Sequence, residues 1–140
     1  MGLFSSDNKA AGGSAEELFE AGDKAYENKD YVKAAQFYKK AAELGHVKAM
    51  SFLAYAYRFG EGVKENPEEA FYWYKKTYQS GKKYDAGNIG SMYHYKEISG
   101  ADNSEIIALL KEGADNGNNS TYIPLIERYF LSKYGCKNSK

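Results

Sequence analysis

The stretch Ala49-Met50-Ser51-Phe52-Leu53-Ala54-Tyr55-Ala56-Tyr57-Arg58-Phe59-Gly60-Glu61-Gly62-Val63-Lys64-Glu65-Asn66-Pro67 decides how this chain is read. Apolar residues fall at Ala49, Phe52, Leu53, Ala56 and Tyr57, and resume at Ala70, Phe71, Tyr74, Thr77 and Tyr78. Steps of three and four are helical; a strand would alternate. Gly60 and Gly62 permit the backbone angles a reversal needs. Asn66 then caps a second helix, with Pro67 in its first turn and Glu69 as capping-box partner. Gly81 closes that helix as a left-handed cap. The unit is a helix–turn–helix hairpin.

Working outward, Gly45, Gly81 and Gly117 recur at a spacing of 36 residues. The same shift carries Leu53 onto Ile89 and Leu125, and Tyr57 onto Tyr93 and Tyr129. Ala34, Ala70 and Ile106 fall into register, as do Tyr38, Tyr74 and Leu110. Self-similarity at this period signals a repeat architecture. The spacing predicts helices over 14–28, 31–44, 46–59, 67–80, 84–96 and 104–116, and a last one from about 120. Ser14 and Asp30 are the N-caps of the first two. The last helix has no partner after it and should cap the array.

Within 46–82, Ala49-x3-Leu53-Ala54-x2-Tyr57-x2-Gly60-x-Gly62-Val63, followed by Ala70-x2-Trp73-Tyr74-x-Lys76 and Gly81, resembles the Sel-one-like repeat. That family is a longer-looped relative of the tetratricopeptide repeat. Residues 83–118 resemble a degenerate copy, with Ile89-Gly90-x2-Tyr93 kept but Lys96, Ile98 and Ser99 in place of the glycine loop. Residues 14–45 look more like a plain tetratricopeptide unit with a shorter loop. The resemblance implies an all-α, right-handed α-solenoid of three hairpins plus a capping helix over 119–134. A disordered tail is expected at 1–13 and a short one at 135–140.

Composition narrows the function classes. Lys plus Arg and Asp plus Glu both number 19 in 140 residues, so no basic excess marks a nucleic-acid binder. Cys136 is the single cysteine, which excludes a disulfide framework within the chain. No apolar leader or bilayer-length run is present in the sequence, and a cytoplasmic setting is the expectation. Fourteen tyrosines supply apolar area with a polar tip, suited to contact surfaces.

Searches for chemistry fail on spacing. His46 and His94 have no cysteine cluster at zinc distance, so neither a metal nor a cofactor is expected. His46 reads as a solvated linker residue. Ser6-x2-Lys9 and Ser80-x2-Lys83 match Ser-x2-Lys, but one sits in the tail and the other at a helix end, and no Lys-Thr-Gly follows. Paired carboxylates at Glu16/Glu17 and Glu68/Glu69 are helix-start charges. Gly2 with Ser6 fits the myristoylation pattern, which is short enough to arise by chance; acylation at Gly2, with weak membrane attachment, is kept as the alternative.

What remains is surface. In arrays of the kind this chain resembles, first helices of successive hairpins line a concave groove. The resemblance then implies a protein or peptide ligand held by Phe19, Asp23 and Tyr26 in the first unit. In the second unit it marks Lys48, Ser51, Tyr55 and Arg58; in the third, Tyr84, Ser91, His94 and Tyr95. Phe59 is expected to pack against a neighbouring helix instead. The Lys, Asn and Arg of a chaperone-binding carboxylate clamp are absent, since Phe19, Asp23, Tyr55, Gly87 and Ser91 occupy those positions. The expected class is a non-catalytic adaptor.

Overall fold

The computed structural model describes residues 13–81 and 85–94, with Ser104, Ala108 and Lys111 besides. Its helices are α1 (Ala15–Glu27), α2 (Tyr31–Glu43), α3 (Val47–Phe59), α4 (Pro67–Gln79) and α5 (Asp85–His94). The chain divides into two compact units, Met1–Lys82 and Lys83–Lys140. The first holds two hairpins: α1 packs on α2, α3 on α4, and α2 joins the hairpins by packing on α3. In the second unit α5 contributes Ile89 and Met92 to the buried set. The expected helices over 104–116 and beyond 120 lie outside the described residues, apart from the three named above, which are helical. So do the tails and Cys136.

The first four starts are each set by a side chain accepting from the backbone three residues on. Ser14 Oγ accepts from the Glu17 N–H at 3.2 Å, Asp30 Oδ1 from Lys33 at 3.2 Å, and Asn66 Oδ1 from Glu69 at 3.2 Å. A cap of this kind contributes about 1 kcal/mol. At α4 the reciprocal half of the expected capping box is not made by the Glu69 side chain. The Asn66 N–H donates to the Tyr57 carbonyl instead, at 2.8 Å, which ties the loop back to α3.

The third start departs from expectation. His46 is no solvated linker: it is the N-cap of α3, its Nδ1 accepting from the Ala49 N–H at 3.1 Å. That leaves Nε2 to carry the proton, which it donates to Glu16 Oε2 at 2.8 Å. The ring also stacks on Phe19, with centroids 4.4 Å apart and planes 19° off parallel. One imidazole thus starts α3 and pins α1, while the His46 backbone N–H bonds back to the Ala41 carbonyl of α2 at 3.0 Å.

The 36-residue register is visible in the core. Leu53 and Ile89 are both 0% exposed, and the pairs Ala34/Ala70 and Tyr38/Tyr74 are likewise buried. Small residues set the helix spacing. Ala41, Ala49, Ala54 and Ala70 are fully buried, and Gly22 sits against the Tyr38 ring, where an added Cβ would lie 2.7 Å from ring carbons. Removing a buried leucine from such packing leaves a cavity its neighbours cannot close.

Candidate partner-binding surface

The expected groove residues fall into three groups. Tyr26 and Tyr55 come together: both are exposed, at 38% and 44%, and both line one cleft. Lys48 is exposed and Ser51 half-buried, outside that cleft. Phe19, Asp23 and Arg58 are used internally. Phe19 is only 7% exposed, held between His46, Tyr38 and Phe52. Asp23 accepts the Tyr38 hydroxyl at 2.7 Å. Arg58 is 8% exposed and lies with its guanidinium 5.0 Å from the centre of the Phe59 ring. The expectation for Phe59 is reversed as well, because that ring is 55% exposed. Its contacts are with Arg58 and with Tyr55, whose centroid is 4.7 Å away.

In the third unit, Ser91 is half-buried on α5. His94 is the last residue of α5, and its side chain is outside the described set, as are Tyr84 and Tyr95 entirely. Gly2 lies outside it too.

The cleft is lined by Tyr26, Tyr31, Ala34, Ala35, Tyr38, Phe52, Tyr55, Ala56 and Glu61, and is a shallow trough open to solvent. Three alanines make it possible, because their short side chains leave a trough that surrounding rings wall in. Tyr26 meets Tyr31 edge-on at 5.1 Å. Phe52 stacks on Tyr38 at 5.2 Å and 16°, and so forms a half-exposed wall instead of the core contact its spacing suggested.

Two phenols are held in their protonated form. Hydrogen bonding to Glu61 raises the pKa of Tyr26 above its ordinary value, with burial and the Glu61 charge adding to it. Burial raises Tyr38 further, assisted by its bond to the Asp23 carboxylate. Ionising either ring would place a second negative charge beside the first.

Sequence reasoning missed Tyr31 and Glu61. Tyr31 follows the Asp30 cap and belongs to a second helix, where no groove residue was sought. Glu61 lies in the turn between the two glycines of α3–α4. The glycines were the signal: both have positive φ, 69° at Gly60 and 74° at Gly62. At Gly62 a Cβ would overlap the Tyr31 carbonyl group and come within 2.7 Å of the Val32 nitrogen. The turn is therefore laid directly on the start of α2, and Glu61 goes with it.

Paired helices in register, repeated at 36 residues with a glycine turn, define a helical-repeat protein. Comparison with known families sharpens this: the Sel1 repeat matches residues 12–46 and 47–82, and the chain belongs to that family. The first hairpin, expected as a plain tetratricopeptide unit, is thus itself matched as a Sel1 repeat. Among curated relatives, a protein named "Exopolysaccharide production negative regulator" from Rhizobium leguminosarum bv. viciae is 40% identical over 65 residues. That match takes in 46% of this chain and 24% of the relative. A protein of the same name from Rhizobium meliloti is 41% identical over 64 residues, again 46% of this chain and 24% of the relative. The match spans about a quarter of either relative's length.

Among solved structures, a Sel1 repeat protein from Oxalobacter formigenes has a TM-score of 0.72 at 29% identity, covering 86% of this chain and 51% of that one. A protective antigen present in uropathogenic Escherichia coli strains, displaying an SLR fold, has a TM-score of 0.71 at 29% identity. It covers 93% of this chain and 29% of the antigen. Among the described residues no helix is long and apolar enough to cross a membrane, and no group of His, Cys, Asp and Glu is placed to hold a metal.

Proposed function

We propose that this protein is a non-catalytic adaptor that binds a protein or peptide over the cleft formed by α1, α2 and α3. The observation that carries this reading is the run of half-exposed rings, Tyr26, Tyr31, Phe52, Tyr55 and Phe59, on a two-hairpin scaffold. Aromatic side chains bring large contact area at low entropic cost and are the types enriched at binding hot spots. The name of the rhizobial relatives supports a regulatory setting, in which such an adaptor would act by holding a partner. A cytoplasmic location fits this role.

The test pairs stability with capture of partners from extracts of the native cell. Tyr26→Ala and Tyr55→Ala should change folding stability by no more than about 1 kcal/mol, since neither opens a core cavity. One of them should weaken partner binding by at least about 2 kcal/mol. Leu53→Ala is the control and should lose about 2–5 kcal/mol of folding stability. Groove variants that stay folded and retain every partner would move the binding surface elsewhere. A second reading, membrane association through an acylated Gly2, rests on the Gly2/Ser6 pattern. Intact mass of the native protein decides it, by loss of Met1 and gain of a myristoyl group.

A further inference from the structure

The lining of the cleft has an unusual charge composition for a surface in a chain with 19 cationic residues. Of nine lining residues five are aromatic, three are alanine and one is a glutamate; no lysine or arginine is among them. A second carboxylate, Asp23, stands directly behind Tyr38. The negative groups are close enough to the rings to matter electrostatically, because Glu61 acts on both Tyr26 and Tyr38. Elsewhere in the molecule several rings, buried or exposed, are already served by the chain's own cations. Lys76 lies over Tyr72 and Trp73 at 5.0 and 5.5 Å, Lys75 over Phe71 at 5.9 Å, and Arg58 over Phe59 at 5.0 Å. Among the described residues, none of the chain's cations is so placed over Tyr26, Tyr31 or Tyr55.

Resting on the adaptor reading above, we propose that this cleft receives a cationic side chain, an arginine or lysine of a partner peptide, against the rings of Tyr26, Tyr31 and Tyr55 with Glu61 as its counter-charge. A ring face attracts a cation through its quadrupole, and a nearby carboxylate adds a charge-assisted hydrogen bond. Glu61 can serve both neighbours, because a carboxylate has about four acceptor positions and its action on Tyr26 does not use them all. Size points the same way. The cleft is a shallow trough open to solvent, with internal room for about one water, so it can meet only the face of a side-chain head and does not enclose a small molecule. The alanine floor adds apolar contact for the methylene stem of an arginine or lysine.

The probe is acetyl-alanyl-arginyl-alanine amide, titrated into the full ¹⁵N-labelled chain by NMR, beside the same peptide carrying norleucine or glutamate at the centre. The arginyl peptide should shift the signals of Tyr26, Tyr31 and Glu61 and bind at least ~5-fold more tightly than the norleucyl peptide. Glu61→Gln should erase that preference while leaving the melting temperature unchanged, since Glu61 is in a surface turn. Tyr31→Leu, which keeps apolar bulk but removes the ring face, should reduce the preference without abolishing norleucyl binding. Equal or tighter binding of the norleucyl or glutamyl peptide in the cleft overturns the cation assignment while leaving the adaptor reading intact. Arginyl shifts located away from the cleft, or none at all, also overturn it. The adaptor reading itself stands or falls on the separate capture experiment with Tyr26→Ala and Tyr55→Ala.

Discussion

The first hairpin turns through three residues, Asn28 to Asp30, and the second through seven, Gly60 to Asn66. In the short turn the closing of one helix runs straight into the opening of the next. The Lys29 N–H donates to the Tyr26 carbonyl at 2.9 Å and the Asp30 N–H to the Ala25 carbonyl at 2.9 Å, after which Asp30 caps α2. These bonds all stay within the hairpin. The longer turn begins alike, with the Glu61 N–H on the Ala56 carbonyl at 2.9 Å. Its four extra residues then carry Gly62 onto the backbone of Tyr31 and Val32, in the preceding hairpin. That contact is what sets Glu61 beside Tyr26 and Tyr31. The lesson is that the longer turn is a joint between repeats, and that the cleft exists because of it.

Breaking the joint should have the largest effect. Gly62→Ala combines a positive φ, which costs about 1–2 kcal/mol for a side-chain-bearing residue, with a steric overlap against backbone that cannot rotate away. Overpacking of that kind adds about 1–3 kcal/mol. Chemical denaturation should therefore show a loss of about 2–5 kcal/mol. Gly60→Ala has only the φ term, since its nearest neighbour would be at 3.4 Å, and should lose about 1–2 kcal/mol. Equal losses at the two glycines would mean the turn is a turn and nothing more.

Alkali probes the cleft wall behind the joint. Tyr38 holds its proton more tightly folded than unfolded, so above the ordinary tyrosine pKa the unfolded chain binds fewer protons than the native one. Its contribution is complete below about pH 10 and is lost as pH rises through that value, at up to about 1.4 kcal/mol per pH unit. Tyr38→Phe should show a shallower fall in stability above pH 10 than the parent. A parallel fall would show that the Asp23–Tyr38 bond does not set the alkaline limit. For Tyr26 the effect is smaller. Glu61→Gln should bring its titration, followed by tyrosinate absorbance or NMR, back toward the ordinary value, since Glu61 supplies the leading cause of the shift.

The same contrast explains what sequence could and could not reveal. Helix spacing, the caps Ser14, Asp30 and Asn66, and the buried triplet of Leu53, Ala70 and Tyr74 are local or periodic signals, and the chain carries them openly. That Tyr26 and Tyr55 would be exposed was legible, because they occupy equivalent faces of the first helices. Glu61 and Tyr31 were not legible, since they meet only through a contact between backbones of different repeats, and Gly62 says that something approaches without saying what. Phe19, Arg58 and His46 went astray for another reason. Position on a helix face predicts direction but not which particular neighbours cover a side chain, as when His46 takes the cap of α3 and stacks on Phe19.

The smallest effect is expected at the short turn, and its sign is the informative part. Lys29 is the one non-glycine with positive φ among the described residues, at 61°, and it stands where the other helix ends place glycine. The left-handed region costs a lysine about 1–2 kcal/mol, whereas glycine enters it freely but loses about 0.5–1 kcal/mol of unfolded-state entropy advantage. Lys29→Gly should therefore raise stability by up to about 1 kcal/mol, seen as a rise of a few degrees in melting temperature. Both backbone bonds of the turn are kept, because they are made by N–H groups that glycine also has. Binding of the arginyl peptide should be unaltered, as no atom of Lys29 lines the cleft. A destabilised variant would mean that the lysine side chain makes up for its backbone strain in the native state. Weakened peptide binding with stability raised would mean that the short turn, like the long one, helps to shape the cleft.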